Sequence, residues 1–434
     1  MSKPLLKDLP ELVKAGVITE ETAQKIAGYY ESQKSIPSNK FTIVLGILGA
    51  LLVGFGIVLV VAHNWEVLNR LTQTILAFVP LAITQALCIY TVVKKKDSMA
   101  WRESSAALLF FAVAACISLI SQIYHISGTL SGFLLLWMIL TIPLVYLLPS
   151  SLVSLLLIAC GTWYACLVGY NGIFDSGHTD IPWFYIGLLI ALAPHYIRFF
   201  RSNRYSNFFH LHNWFLVTSL VITFGAFTGD YNFRFSFQAY LCLFGVLYLL
   251  GCTSYFRESR LLANPFYIAG ILGILVILFI WSFDGLWNDG NYEGFALFYN
   301  SPYFILNLVL LLLVAFLNIK HNKQQFDLVS FTPFIFLIAL FLLHSLPVLS
   351  ATLINIWLLA IAIFFIRRGS LRNHLGILNF GLIIIAILAI LRFFDDNIPF
   401  VWRGLFFLAA GVGFFVANYL LLKKRKTITQ NTTA

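Results

Sequence analysis

Long apolar runs alternate with short polar connections along nearly the whole chain, and the length of the runs sets the elements. Crossing a hydrocarbon core roughly 30 Å thick takes about 20 apolar residues in a helix that rises about 1.5 Å per residue. Runs of that order cover Phe41 to Ala62 and Leu71 to Val93. Ser104 to Phe174 then carries no charge and holds three spans joined by two uncharged turns, HISGTLSG near His125 and LPSS near Pro149. Single helices follow over Ile181 to Ile197, Tyr205 to Gly229, Phe235 to Phe256, Leu261 to Phe283 and Gly294 to Lys320. Leu328 to Ile366 holds two short helices folded at Ser345-Leu346-Pro347, and Asn373 to Leu391 and Gly404 to Leu422 complete the set. The pattern predicts an all-α polytopic transmembrane bundle of about fourteen spans.

The first forty residues are polar and precede the first apolar run, so they are not read as a signal peptide. Leu5, Leu6, Leu9, Leu12 and Val13 recur at helical spacing, Gly16 supplies a stop, and Thr19 caps a second helix. The stretch LVKAGVITEETAQKIAGYYE resembles the helical hairpins of SHOCT-type modules, which implies a small cytoplasmic module that packs on the membrane face or recruits a protein partner. The chain thus divides into a hairpin (1–40), a four-span region (41–151), a ten-span region (152–422) and a basic tail (423–434).

Composition removes the soluble alternative. A chain that is 60% hydrophobic and 11% charged cannot cover itself with polar surface in water. Charge then orients it, because short connections rich in Lys and Arg stay cytoplasmic. Lys94 to Lys96 with Arg102, then Arg198, Arg201 and Arg204, Arg257 and Arg260, Lys320 and Lys323, Arg367, Arg368 and Arg372, and Lys423 to Lys426 all fall on one side of a fourteen-span chain. The other side carries Glu66, Asp175, Asp180, Asp230, Asp284, Asp289, Glu293, Asp395 and Asp396 against Arg70, Arg234, Arg392 and Arg403. Both termini are therefore expected in the cytoplasm. The net charge of +10 becomes a topogenic excess that meets anionic headgroups, and nucleic acid is not an expected partner.

The segments GILGALLVGFGIVLVVAHNWEVLNR, LISQIYHISGT and LLLWMILTIPLVYLLPSS, in this order, resemble the bacterial predicted-membrane-protein family known as domain of unknown function 2157. The resemblance runs from about Leu12 to Ser151 and implies a bacterial inner-membrane protein. It implies no substrate, since the family has no assigned activity.

The candidate chemistry within that stretch lies at one outer edge. His63, Asn64, Glu66 and Arg70 sit where the first span leaves the membrane, and Gln122, Tyr124 and His125 sit where the third leaves on the same side. Imidazole, carboxylate and guanidinium together suit a bound metal, a proton relay or a polar substrate, whereas at the interface water and headgroups satisfy the same groups, with Trp65 and Tyr124 as aromatic anchors. Gln122 is read as lying inside its helix, in need of a partner such as Thr84, Gln85, Ser118 or Ser121.

Other features are quieter. Cys88, Cys116, Cys160, Cys166, Cys242 and Cys252 fall in spans without a CxxC or Cys/His spacing, so neither a disulfide nor a metal or cofactor is expected. Gly46, Gly49, Gly54 and Gly56 offer a small-residue face to another helix of this chain or to a second copy in a homodimer. The acidic outer loops lack the regular ladder of a calcium site, and His210 and His212 are read as headgroup contacts. Pro80, Pro143, Pro194, Pro333 and Pro347 mark expected helix interruptions. Three function classes follow. Membrane transport or envelope support leads, and the alternatives are a transferase acting on a lipid-linked substrate around Glu66 and a non-catalytic scaffold for a cytoplasmic partner. The weight falls on a protein that is not an enzyme.

Overall fold

Apolar side chains face outward along most helices of the computed structural model: Ile83, Leu108, Ile190, Leu312 and Phe316 are all exposed. Such a surface matches hydrocarbon rather than water. The structure describes residues 9–10, 12–32, 65–170, 181–202, 206–227, 233–253, 256, 261–287, 302–323, 326–341, 346–393 and a few positions between 401 and 415. These residues form helices and turns, with no strand among them. The chain divides into two compact units, Met1–Val79 and Pro80–Ala434.

In the first unit, Gly16 ends a short helical segment with φ +68°, and the Gly16 and Val17 amides return to Val13 and Leu12 oxygens at 3.0 Å each. This is the left-handed stop that glycine adopts most easily. Helix α1 (Glu20–Ser32) follows, with Thr19 Oγ1 accepting from the Thr22 amide at 3.3 Å. Asn69 Oδ1 accepts from the Thr72 amide at 2.8 Å and caps α2 (Arg70–Lys94).

The second unit continues through α3 (Met99–Ile123), α4 (Leu130–Leu147), α5 (Ser151–Gly169), α6 (Trp183–Ser202) and α7 (Asn207–Thr223). Its later helices are α8 (Phe233–Gly251), α9 (Pro265–Ile280), α10 (Pro302–Asn322), α11 (Thr332–Phe341), α12 (Pro347–Leu371) and α13 (Leu375–Phe393). Among the described residues ten helices are long and apolar enough to cross a membrane, and two more are apolar but shorter. Of the fourteen expected spans, 41–62 lies outside the described residues and 404–422 lies mostly outside. The two short ones are the helices at α9 and α11. With 16 residues, α9 reaches roughly 24 Å, less than a full hydrocarbon core.

The charge-free stretch does hold three helices, with its turns between α3 and α4 and between α4 and α5. The fold at Pro347 is also present, as proline in the first turn of α12. The other expected interruptions mostly fail. Pro80 and Pro194 sit inside continuous helices, Pro333 lies in the first turn of α11, and among these only Pro143 breaks a helix, between Thr141 and Leu144.

Two apolar cores fill the second unit. Phe110, Leu134, Trp137, Met138 and Leu188 centre the earlier one, and Tyr248, Trp281, Trp287 and Phe336 the later. Helix α8 runs through the middle of the later core, with 72% of its apolar stretch enclosed. Glycine lets it approach α9: a Cβ added to Gly270 would lie 2.4 Å from the Tyr248 backbone nitrogen, and one on Gly251 2.4 Å from that of Tyr267. In lipid, where apolar burial drives no helix association, such close backbone contact is what holds helices together.

Contacts at the helix ends set relative direction. Tyr248, late in α8, meets Asp327 between α10 and α11, and Asp327 meets Arg368, late in α12. At the opposite end Arg234 donates to the Trp287 oxygen at 2.8 Å, while Ser282 receives Asn355 and Arg392, each at 2.9 Å. Gly169 packs on Ala226, so α5 and α7 run the same way, and Trp214 in early α7 donates to the Leu262 oxygen before α9 at 3.0 Å. One end of the unit therefore gathers Lys94, Arg102, Arg198, Arg201, Lys320, Lys323, Arg367, Arg368 and Arg372.

Candidate functional site

Two carboxylates are buried at that basic end. Glu103 is 9% exposed and Asp327 1%. Neither belongs to the acidic loops that alternate with the basic ones, because each follows Lys or Arg closely in sequence and is drawn inward only by tertiary packing.

Glu103, in the first turns of α3, reaches the start of α5. Its Oε2 accepts from Ser150 Oγ at 2.6 Å and the Leu152 amide at 2.8 Å, and its Oε1 accepts from the Ser151 amide at 2.9 Å. Ser150 Oγ in turn accepts from the Val153 amide at 3.2 Å. The amides that open α5, orphaned in any helix, are thus satisfied by one hydroxyl and one carboxylate placed on the positive end of the helix dipole. The arrangement is a cap supplied from another helix.

Asp327 is held differently. Its Oδ1 accepts from the Val329 amide at 3.1 Å. Its Oδ2 accepts from Tyr248 Oη at 2.6 Å, faces Arg368 Nη1 at 3.5 Å, and lies 3.7 Å from His321 Nε2, beyond hydrogen-bond range. Cys252 completes the group, and its Sγ, His321 Nε2 and an Asp327 oxygen all lie within 4.8 Å of one another. Sequence places Tyr248 and Cys252 one turn apart on α8 and its end, and the Cys252 amide donates to the Tyr248 oxygen at 3.0 Å. The irregular connection that carries Asp327 is pinned by amides: Asn322 Oδ1 accepts from the Asp327 nitrogen at 2.7 Å, and Asn318 Oδ1 accepts from Ser330 Oγ at 2.8 Å. Burial alone raises the Asp327 carboxyl, but His321, Tyr248, Arg368 and the Val329 amide outweigh it and hold it below the usual carboxylate value.

The outer-edge residues are placed otherwise. His63 and Asn64 lie outside the described residues. The Glu66 backbone forms a turn at Trp65–Val67, its side chain being outside the description, and Arg70 is exposed in the first turn of α2. Gln122, Tyr124 and His125 are exposed on and just past the last turn of α3. Gln122 lies inside α3 as expected, but exposed and at its penultimate position rather than a full turn below the exit. His125 has φ +52°, and the Ile126 and His125 amides return to the Ser121 and Gln122 oxygens at 2.9 and 3.3 Å. It occupies the left-handed stop position of the helix.

His212 also departs from expectation. It is 1% exposed rather than at the headgroups, with Nδ1 donating to the Phe208 oxygen at 2.8 Å and its ring 6.1 Å from that of buried His195. No disulfide joins the six cysteines, and the glycines of the first span lie outside the described residues.

Comparison with known proteins adds one boundary. Residues 10–154 match the family model described as Predicted membrane protein (DUF2157). The match covers the Glu103 cap in full and ends just inside α5, so Asp327 and all its partners lie beyond it. No curated protein and no solved structure matches the chain.

The signal for the missed pair is faint but nameable. A single carboxylate within a few residues of the basic end of an apolar run, as at Arg102-Glu103 and Lys323 to Asp327, breaks the alternation of loop charge.

Proposed function

We propose that the protein is a cation-linked membrane transporter of the bacterial inner membrane, with Asp327 as the carboxylate that exchanges its partners. The observation that carries this reading is the convergence of Asp327, His321, Tyr248 and Arg368 from separate helices onto one buried carboxylate oxygen. Charges enclosed at the edge of a membrane bundle are costly, and they persist where an ion or proton must be handled. The setting supports it: Asp327, Val329 and Ser330, between α10 and α11, are buried, and α11 is too short to span, as in helices broken to expose a site. Arg368 and an incoming cation compete for the same oxygen, which supplies a two-state element. In this reading the basic end, both termini and the Asp327 cluster face the cytoplasm.

Reconstituted vesicles test it. With a pH-sensitive dye trapped inside and a panel of monovalent and divalent cations outside, the wild type moves protons in response to at least one cation and Asp327→Asn does not. Equal fluxes in the two proteins, or no cation-dependent flux in the wild type, overturn the proposal. A reporter active only outside the cytoplasm, fused after Asp289, is active, and one fused after Lys323 is silent; the reverse overturns the orientation.

A further inference from the structure

We infer that the Asp327 cluster is a binding site for a soft divalent transition-metal ion of the zinc class, with Cys252 Sγ, His321 Nε2 and Asp327 Oδ2 as its ligands. The inference rests on the transport reading for its role, naming the cation class, but the binding stands on geometry alone. The three ligand atoms come from the end of α8, the end of α10 and the connection to α11, and lie within 4.8 Å of one another. Bond lengths of about 2.0 to 2.3 Å at tetrahedral angles set ligand-to-ligand edges of roughly 3.4 to 3.6 Å. The His321 to Asp327 edge, at 3.7 Å, is already there within a few tenths. Closing the remaining edges takes at most about 1.4 Å, within the reach of side-chain rotation.

The surroundings complete the chemistry. His321 Nε2 is enclosed and makes no hydrogen bond, so it is poised as a lone-pair donor. Tyr248 Oη and the Val329 amide fix the carboxylate from outside, the outer-shell support that metal-bound carboxylates need. A thiolate with an imidazole selects zinc, cobalt or copper over magnesium or calcium. Three protein ligands leave a fourth position for water, which makes the ion exchangeable rather than locked in.

Charge balance follows from the groups that face the site, Tyr248 and Cys252 from α8 and its end, Tyr267 from α9, His321 from α10, Asp327, and Arg368 from α12. Asp327 is already ionised against Arg368. On binding, the Cys252 thiol gives up one proton to solvent as its S–M bond forms, His321 supplies a ring-nitrogen lone pair, and Arg368 moves off Oδ2.

The purified full chain in detergent tests the inference, with Zn2+ retention measured by elemental analysis after dialysis and Co2+ used as an optical probe. The wild type holds one metal per chain and shows a thiolate-to-cobalt charge-transfer band. Cys252→Ser abolishes the band while Cys88→Ser keeps it, and His321→Ala weakens binding at least about tenfold. Arg368→Gln strengthens binding, an outcome that a merely structural cluster does not produce and that survives if Asp327→Asn fails to fold. A wild type that retains neither Zn2+ nor Co2+ above the Cys252→Ser background overturns the inference, as does a band insensitive to Cys252→Ser. Metal binding without cation-dependent flux in vesicles leaves the inference standing and overturns the transport reading. Flux with Na+ or K+ and no metal binding does the opposite.

Discussion

Glu103 and Asp327 are both enclosed carboxylates at the same end of one helical unit, yet their neighbours assign them different work. Glu103 accepts from three uncharged donors, all at the start of α5, and among the described residues no cation is bonded to it. Such a site has a single satisfied state, and removing it leaves buried amides without partners. Asp327 accepts from a tyrosine hydroxyl and an amide while facing an arginine, a histidine and a cysteine that have other uses for their atoms. That site brings several charged and ligating groups to one carboxylate. The difference teaches that burial of an acid in a membrane bundle is not by itself a mark of function; the number of exchangeable partners around it is.

Stability measurements on the detergent-solubilised protein break or sharpen this contrast. The largest loss is expected for Glu103→Ala, about 3 to 5 kcal/mol, since each bond to a charged group contributes about 1.5 to 3 kcal/mol and the donors stay buried. Thermal unfolding checks it, and a loss under about 1 kcal/mol would show that the cap is dispensable. Asp327→Asn is expected to cost about 3 kcal/mol, because it removes the charge that faces Arg368. The cost should largely vanish in Asp327→Asn combined with Arg368→Gln, whereas no second change of a charged residue rescues Glu103→Ala. A double-mutant cycle showing additivity at Asp327 would collapse the comparison.

Between these lies a packing control. Gly270→Ala places a methyl 2.4 Å from the Tyr248 backbone and is expected to cost about 1 to 3 kcal/mol, with metal binding reduced less than stability. If metal binding falls as steeply as stability, the site is not independent of the α8–α9 seam.

Acid dependence separates the mutants further. The folded-state value of Asp327 is lowered, so its contribution is fully present above the unfolded value near about pH 4 and fades as pH falls through the lower folded value. The stability gap between wild type and Asp327→Asn should therefore narrow as pH falls below about 4; a gap constant with pH contradicts the assignment. The smallest effect is a gain. His125→Gly, at a position with φ +52°, should stabilise α3 by about 0.5 to 1 kcal/mol and leave binding and flux unchanged. Lost activity in that variant would return attention to the outer edge.

Much of the architecture was legible because it depends on local pattern. The turns around His125 and Pro149, the stop at Gly16, the cap at Thr19 and the start of α12 at Pro347 each answer to a few neighbouring residues. The short span α9 was overestimated because apolar residues continue past Ile280 into a turn where Trp281 and Trp287 pack on Phe336. Proline was over-read as an interruption, since α2 and α6 continue through Pro80 and Pro194, which both lie on an exposed face. Gln122 and His125, candidates for chemistry in the chain, lie exposed at the end of α3.

Hydropathy determined the class of the molecule, and the alternation of loop charge separated its two ends, because the bilayer acts on each run and each connection independently. Tertiary structure alone decided which charges are enclosed. Cys252, the His321–Asp327 segment and Arg368 are distant in the chain. They become a site because α8, α10 and α12 run in the same direction and deliver their ends to the same place, and local pattern records that coincidence only as one carboxylate out of step with the loop charges.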